Sequence, residues 1–324
     1  MRMSSAILRA ALVTLAASTA AAPVRSRELA PAAVELEDAG QAPRRILRYD
    51  LHAHASVLDL VVQRGRLLLR GILESEETYT PPVATLWELG DVHRDAASDT
   101  TQFTLTLALG RVLPDEKATD TLRDALAATL RAAVGRRLEA SADDRGRLAR
   151  IDAPAGSDSD APALLPELED AIAARLLLPL PEEPVGVGAR WRVVCTSRIG
   201  SLEAVTEERR VFLRSLDGER IAVRIASSFR ASSGRAGTLH GEEVRIANVE
   251  GAGSGDAVYA LTDVVPVRAD QSWKVDADLF ATSPPDAAGG GDAPREARYH
   301  VAYEGRELLR VPDARELEPP AQSR

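Results

Sequence analysis

The chain has 324 residues, 45% of them hydrophobic but only 4% aromatic, and a formal charge of −9. That length suits one large domain or two small ones, with a core built on aliphatic side chains. The acidity sets Coulomb repulsion against nucleic acid and anionic lipid surfaces, and excludes both as expected partners.

Arg2 and Arg9 lead into the uncharged run Ala10–Ala22, which ends in Ser18-Thr19-Ala20-Ala21-Ala22. A charged start, a short apolar middle and a small-residue exit predict a secretory signal peptide over residues 1–22. The run is shorter than the roughly 20 apolar residues of a membrane span, and no later segment approaches one. Losing two arginines would take the charge from −9 to −11. Cys195 is the only cysteine, so no internal disulfide is expected although an oxidising compartment would permit one. No cysteine follows the apolar run, so the expected product is periplasmic or secreted and carries no lipid anchor.

Residues 23–44 are rich in Ala, Pro and charge and read as a flexible lead-in. From Leu47 the period is two: Leu47, Tyr49, Leu51, Ala53, Ala55 and Val57 alternate with Arg48, Asp50, His52, His54 and Ser56. This predicts a half-buried strand, a turn at Gln63-Arg64-Gly65-Arg66 and a partner strand over Leu67–Leu73. Phe103, Leu105, Leu107 and Leu109 mark another strand, with Val83–Val92 as its partner. The period then turns helical. Leu122, Leu126, Leu130 and Val134 are spaced by four, Thr119 or Asp120 can cap the start, and Gly135 can end the helix. A hairpin follows, Arg137–Ala142 and Arg147–Ile151, and then an acidic loop over Asp152–Pro162. A second helix is expected over residues 163–177, with Leu165, Leu168, Ile172 and Leu176 on one face and Pro179 and Pro181 to stop it.

Beyond Gly188 the strands return. Trp191, Val193 and Cys195 share a face, Asp217-Gly218 is a hairpin turn, and Ile221, Val223 and Ile225 come back from it. Further strands are expected over Val244–Val249, Ala257–Val267 and Trp273–Leu279. Residues 282–297, with Gly289-Gly290-Gly291, read as a linker, residues 298–312 as a final strand and residues 313–324 as a tail. The predicted fold class is α+β: a large, mostly antiparallel, curved sheet with two amphipathic helices covering one face. It falls into β-rich halves over residues 45–155 and 156–281.

Asp50-Leu51-His52-Ala53-His54 is the sharpest local motif. On a strand, His52 and His54 would lie on one face about 7 Å apart. The pair resembles the His-x-His strand that opens metal-dependent hydrolases of the amidohydrolase and polymerase-histidinol-phosphatase types. Such a resemblance implies a metal hydrolase using Asp50, His52 and His54. Those enzymes need three or more ligands, and here His93, His240 and His300 are isolated in sequence. Alternation alone accounts for the motif as a polar strand face. Glu250-Gly251-Ala252-Gly253-Ser254-Gly255 lacks phosphate-loop spacing and precedes no helix, so it reads as a glycine-rich hairpin loop. Cys195, in phase with Trp191, reads as an inert core thiol. No catalytic, cofactor-binding or metal residue is therefore assigned.

The segment Leu178–Trp191, with its prolines, Gly186, Gly188 and Trp191, reads as a structural corner. It resembles a P-x-x-V-x-V-G-x-x-W segment of uncharacterised secreted proteins and lipoproteins of high-GC Gram-negative bacteria. Over roughly residues 47–267 the layout is similar too. The resemblance implies no catalytic residues. A looser similarity is to lipoprotein carriers, which close a curved sheet around an apolar hollow. The expected function is a non-enzymatic exported binding protein, needing no cofactor. Its partner would be a hydrophobic or amphipathic small molecule or lipid on the concave face, or an envelope protein. A structural or interaction module of the envelope is the remaining alternative.

Overall fold

A computed structural model describes residues 27–28, 31–52, 57–62, 65–70, 75–95, 98–152, 175–199, 202–239, 242–283 and 295–311. Strands β1 (Arg27–Glu28) and β2 (Ala33–Asp38) precede β3 (Val57–Val62), β4 (Gly65–Arg70), β5 (Ser75–Thr80), β6 (Val83–Asp95) and β7 (Thr100–Val112). Helix α1 (Asp120–Ala133) follows, then β8 (Arg137–Ala142) and β9 (Leu148–Asp152). A run of long hairpins completes the chain: β10 (Arg190–Ile199), β11 (Leu202–Asp217), β12 (Arg220–Leu239), β13 (Glu242–Ala260), β14 (Arg268–Ser283) and β15 (Arg295–Arg310).

Pairing is antiparallel and runs β1-β9-β8-β7-β6-β3-β15-β14-β13-β12-β11-β10-β2, with β4 and β5 as a side arm on β15. The ends of this order, β1 and β2, are separated in sequence only by residues 29–32. Covalent reach then holds the two edges within roughly 18 Å of each other. The sheet must curl until its edges approach, as an incompletely closed barrel does.

Strands make up 62% of the structure. The expected α+β class, with two helices covering one face, is overturned: the fold is mostly β. Helix α1 packs on β7 and buries Leu130 and Ala133. Of the expected helix over residues 163–177, the described residues hold only helical Arg175–Leu176; the rest lies outside them. The physical reason is closure. A sheet that rolls on itself covers its own dry face and needs no helical layer. Leu47, Leu180 and Trp191 are all fully buried inside the roll, with Leu176, Leu177 and Leu178 packed beside them.

Cross-strand register places inward residues in rows. One row is Trp191, Val211, Ile225, Gly255, Gln271 and Glu307; the next is Val193, Arg209, Ser227, Gly253, Trp273 and Gly305. The glycine-rich stretch 250–255, expected as a hairpin loop between two strands, therefore lies inside the single strand β13. A Cβ on Gly255 would stand 2.2 Å from the Asp270 carbonyl oxygen. Only glycine lets β13 bend this closely onto β14, which is how a sheet acquires curvature.

Other expectations change as well. The lead-in over residues 23–44 contains β2, which pairs with β10 from Ala33↔Val194 to Asp38↔Arg190. Residues 47–52 are extended but form no ladder; Tyr49 N–H donates to the Asp144 carbonyl and Asp50 N–H to that of Leu261. The period of two arises because this segment lies between the tips of other hairpins with one side against the core. The chain does not reverse near residues 63–66, since β3 and β4 pair with β15 in the same direction (Val62↔Glu307, Arg66↔Glu304). Strand β15, beyond both expected halves, bridges them: it pairs with β3 of residues 45–155 and with β14 of residues 156–281. Strand content also extends to Ser283 and resumes at Arg295, inside the expected linker over residues 282–297.

Candidate functional site: a polar cleft and a buried charge cluster

The metal alternative finds little geometric support. Asp50 and His52 meet at 3.4 Å but are both more than half exposed, and His54 lies outside the described residues. His93 Nδ1 lies 2.9 Å from the Asp91 carbonyl oxygen. His300 sits against Asp276 and Asp278 on the outer face of β14 and β15 at 3.4 and 3.7 Å. Among the described residues no group of three or more His, Cys, Asp or Glu is placed to hold a metal ion.

The structure instead brings charges together in two places. The first is inside the roll. Val205, Glu207, Arg209, Val211 and Leu213 all lie on the inward face of β11 and all are buried. Arg209 donates to both carboxylate oxygens of Glu207 at 2.8 and 2.7 Å. Arg175 reaches Glu307 on β15 at 3.0 Å and donates to Gln271 on β14 at 3.1 Å. Burial alone would raise the Glu207 carboxyl, but the charge and hydrogen bonds of Arg209, with help from Arg175 and Ser227, hold it below the usual glutamate value. The Cys195 thiol lies 3.8 Å from a Glu207 carboxylate oxygen and is pushed up, first by burial. It is half-buried beside an ion pair, a more polar setting than the core position expected for it.

This cluster anchors a strap. Arg175 directly precedes Leu176–Leu180, which pack in the interior. Tyr49 Oη accepts from Leu178 N–H at 3.0 Å, Trp191 Nε1–H donates to the Pro179 carbonyl at 3.0 Å, and Arg145 Nε–H donates to that of Leu180 at 3.0 Å. The structural corner expected over Leu178–Trp191 is held from both sides. Gly40 and Gly186 touch there, and a Cβ on Gly186 would stand 1.8 Å from the Gln41 carbonyl oxygen. The buried charges escaped the sequence reading, although their phase with Val205, Val211 and Leu213 marks them as inward.

The second place is a cleft of about 1160 Å³ against β6, β7, β8 and β9. Its wall carries Gln102 and Thr104 from β7, Glu139 and Ser141 from β8, and Arg150 and Asp152 from β9. Register sets Thr104 beside Glu139 and Glu139 beside Asp152. These alternate with Phe103, Leu138 and Ala140, which face the core. The wall is therefore the polar side of a sheet whose other side is locked in packing. Between Gly90 and His93 the β6–β7 register slips, and Asp91 takes a left-handed conformation with φ of 50°. A bulge re-aims a side chain, and here the Asp91 carboxylate accepts from Arg137 at 2.6 Å and from Thr104 at 3.3 Å. The other guanidiniums of the wall are also paired, Arg147 with Asp143 and Arg150 with Asp152. No motif in the sequence pointed to this cleft, because it is assembled from the polar halves of ordinary alternating strands.

The outward rows of β11–β15 carry ion pairs, Arg214 and Arg224 on Asp256 and Arg306 on Asp270. A lipid-facing barrel presents an apolar band there. No helix among the described residues is long and apolar enough to cross a membrane.

No protein-family model matches the chain, and no curated protein matches it. Among solved structures, the outer membrane protein OmpT of Vibrio cholerae, folded in vitro and in trimer form, aligns over 79% of this chain and 100% of its own. The alignment has 9% identity and a TM-score of 0.17, too low to carry any inference about fold or activity.

Proposed function

We propose that this chain is an exported binding protein that holds a polar ligand or an envelope partner in the cleft on β6–β9. The carrying observation is the cleft itself: a space of about 1160 Å³ whose wall is backed by a packed core. A wall that cannot relax keeps its polar groups in place and lowers the ordering cost of binding. The size exceeds the usual range for small-molecule pockets, roughly 300–1,000 Å³, and leaves room for a short segment of a partner.

A hydrophobic ligand in the hollow of the sheet receives less support. It needs unfilled space on the inward face, and the described inward face is occupied by the strap at Leu176–Leu180 and by Leu47 and Trp191. The cleft sets its charged and hydroxyl groups beside Pro31, Val92, Leu148 and Ala149, a mixed lining that suits a segment of a partner.

Site-specific photo-crosslinking in the native envelope tests this. A photoreactive residue replacing Gln102, in the cleft, should give a discrete adduct. The same residue replacing Phe212, exposed on the outer face of β11, should not. Adducts from both positions or from neither would overturn the reading. Mass spectrometry of the exported chain should find it starting near Pro23.

A further inference from the structure

We draw no further inference here: the strongest candidate, the buried side-chain cluster of Cys195, Glu207, Arg209, Arg175 and Glu307 inside the roll, pairs its charges with one another, Arg209 on Glu207 and Arg175 on Glu307, and shows no group among the described residues that points to a ligand.

Discussion

Glu207 and Arg209 are two residues apart on one strand, both face inward, and both are more than nine-tenths buried. Breaking such a pair from one side leaves a charge stranded in low dielectric. Arg209→Met should therefore cost about 3–5 kcal/mol in urea unfolding, and a second change of Glu207→Leu should recover much of it. The sign of the pH dependence follows from the lowered Glu207 carboxyl. A carboxyl held down in the folded state contributes stability that is complete above its unfolded value and lost as pH falls through the folded one. Urea midpoints should stay level from neutrality to about pH 5 and drop below it. Glu207→Gln should be less stable at neutrality but show a shallower acid limb. Cys195 gives a chemical readout of the same neighbourhood. Its raised thiol should react with an aromatic disulfide far more slowly in the folded chain than in urea at about pH 8.

At the level of elements, glycines set the curvature and the corner. Gly186 and Gly188 lie close in sequence but constrain the chain in different ways. A Cβ on Gly186 collides with the Gln41 carbonyl, whereas Gly188 has open space and a φ of +87°. Gly186→Ala should destabilise by about 1–3 kcal/mol or more through overlap. Gly188→Ala should cost about 1–2 kcal/mol through backbone strain, and Gly188→Asn less, because asparagine tolerates that region. Thermal melts of the three variants check the order. Helix α1 follows local rules closely: Thr119 Oγ1 accepts from Leu122 N–H at 3.4 Å and Gly135 has a φ of +87°. The β8–β9 and β11–β12 hairpins also stand where the turns at 143–146 and 217–218 predict them. β13 shows where local rules fail. Glycine is depleted in strands because it has no side chain to pack, so a run holding Gly251, Gly253 and Gly255 reads as a loop. Long partners on both sides, Ile225 to Phe229 on β12 and Gln271 to Val275 on β14, keep it in the ladder.

For the whole molecule, closure is the controlling feature. The short stretch that carries β1 and β2 ties the two ends of the strand order together. Deleting residues 27–38 should bare the free edge of β10 and invite pairing with another chain. Size-exclusion chromatography with light scattering should then show oligomers or aggregate, and an unchanged monomer would contradict the role given to these strands. Across the β2–β10 ladder, Glu35 and Asp38 pair with Arg192 and Arg190, which ties β2 to its place in the sheet.

Alternation in Phe103–Leu107 and Trp191–Val193, the four-residue spacing of α1 and the turn chemistry of Asp217-Gly218 are written in the chain, because each depends on neighbours a few residues away. The acidic balance is likewise a property of composition alone. What encloses the dry face is not written there. It depends on β15 meeting β3 and β2 meeting β10 across more than a hundred residues, and no local period records such partners. The same holds for both charge clusters. Glu207 is distinguished from a surface glutamate only by the inward phase of β11, and Glu139 from any polar strand residue only by the cleft that bent neighbouring strands form around it. Short-range chemistry determined the elements, and long-range pairing decided which of their faces became core, wall and cleft.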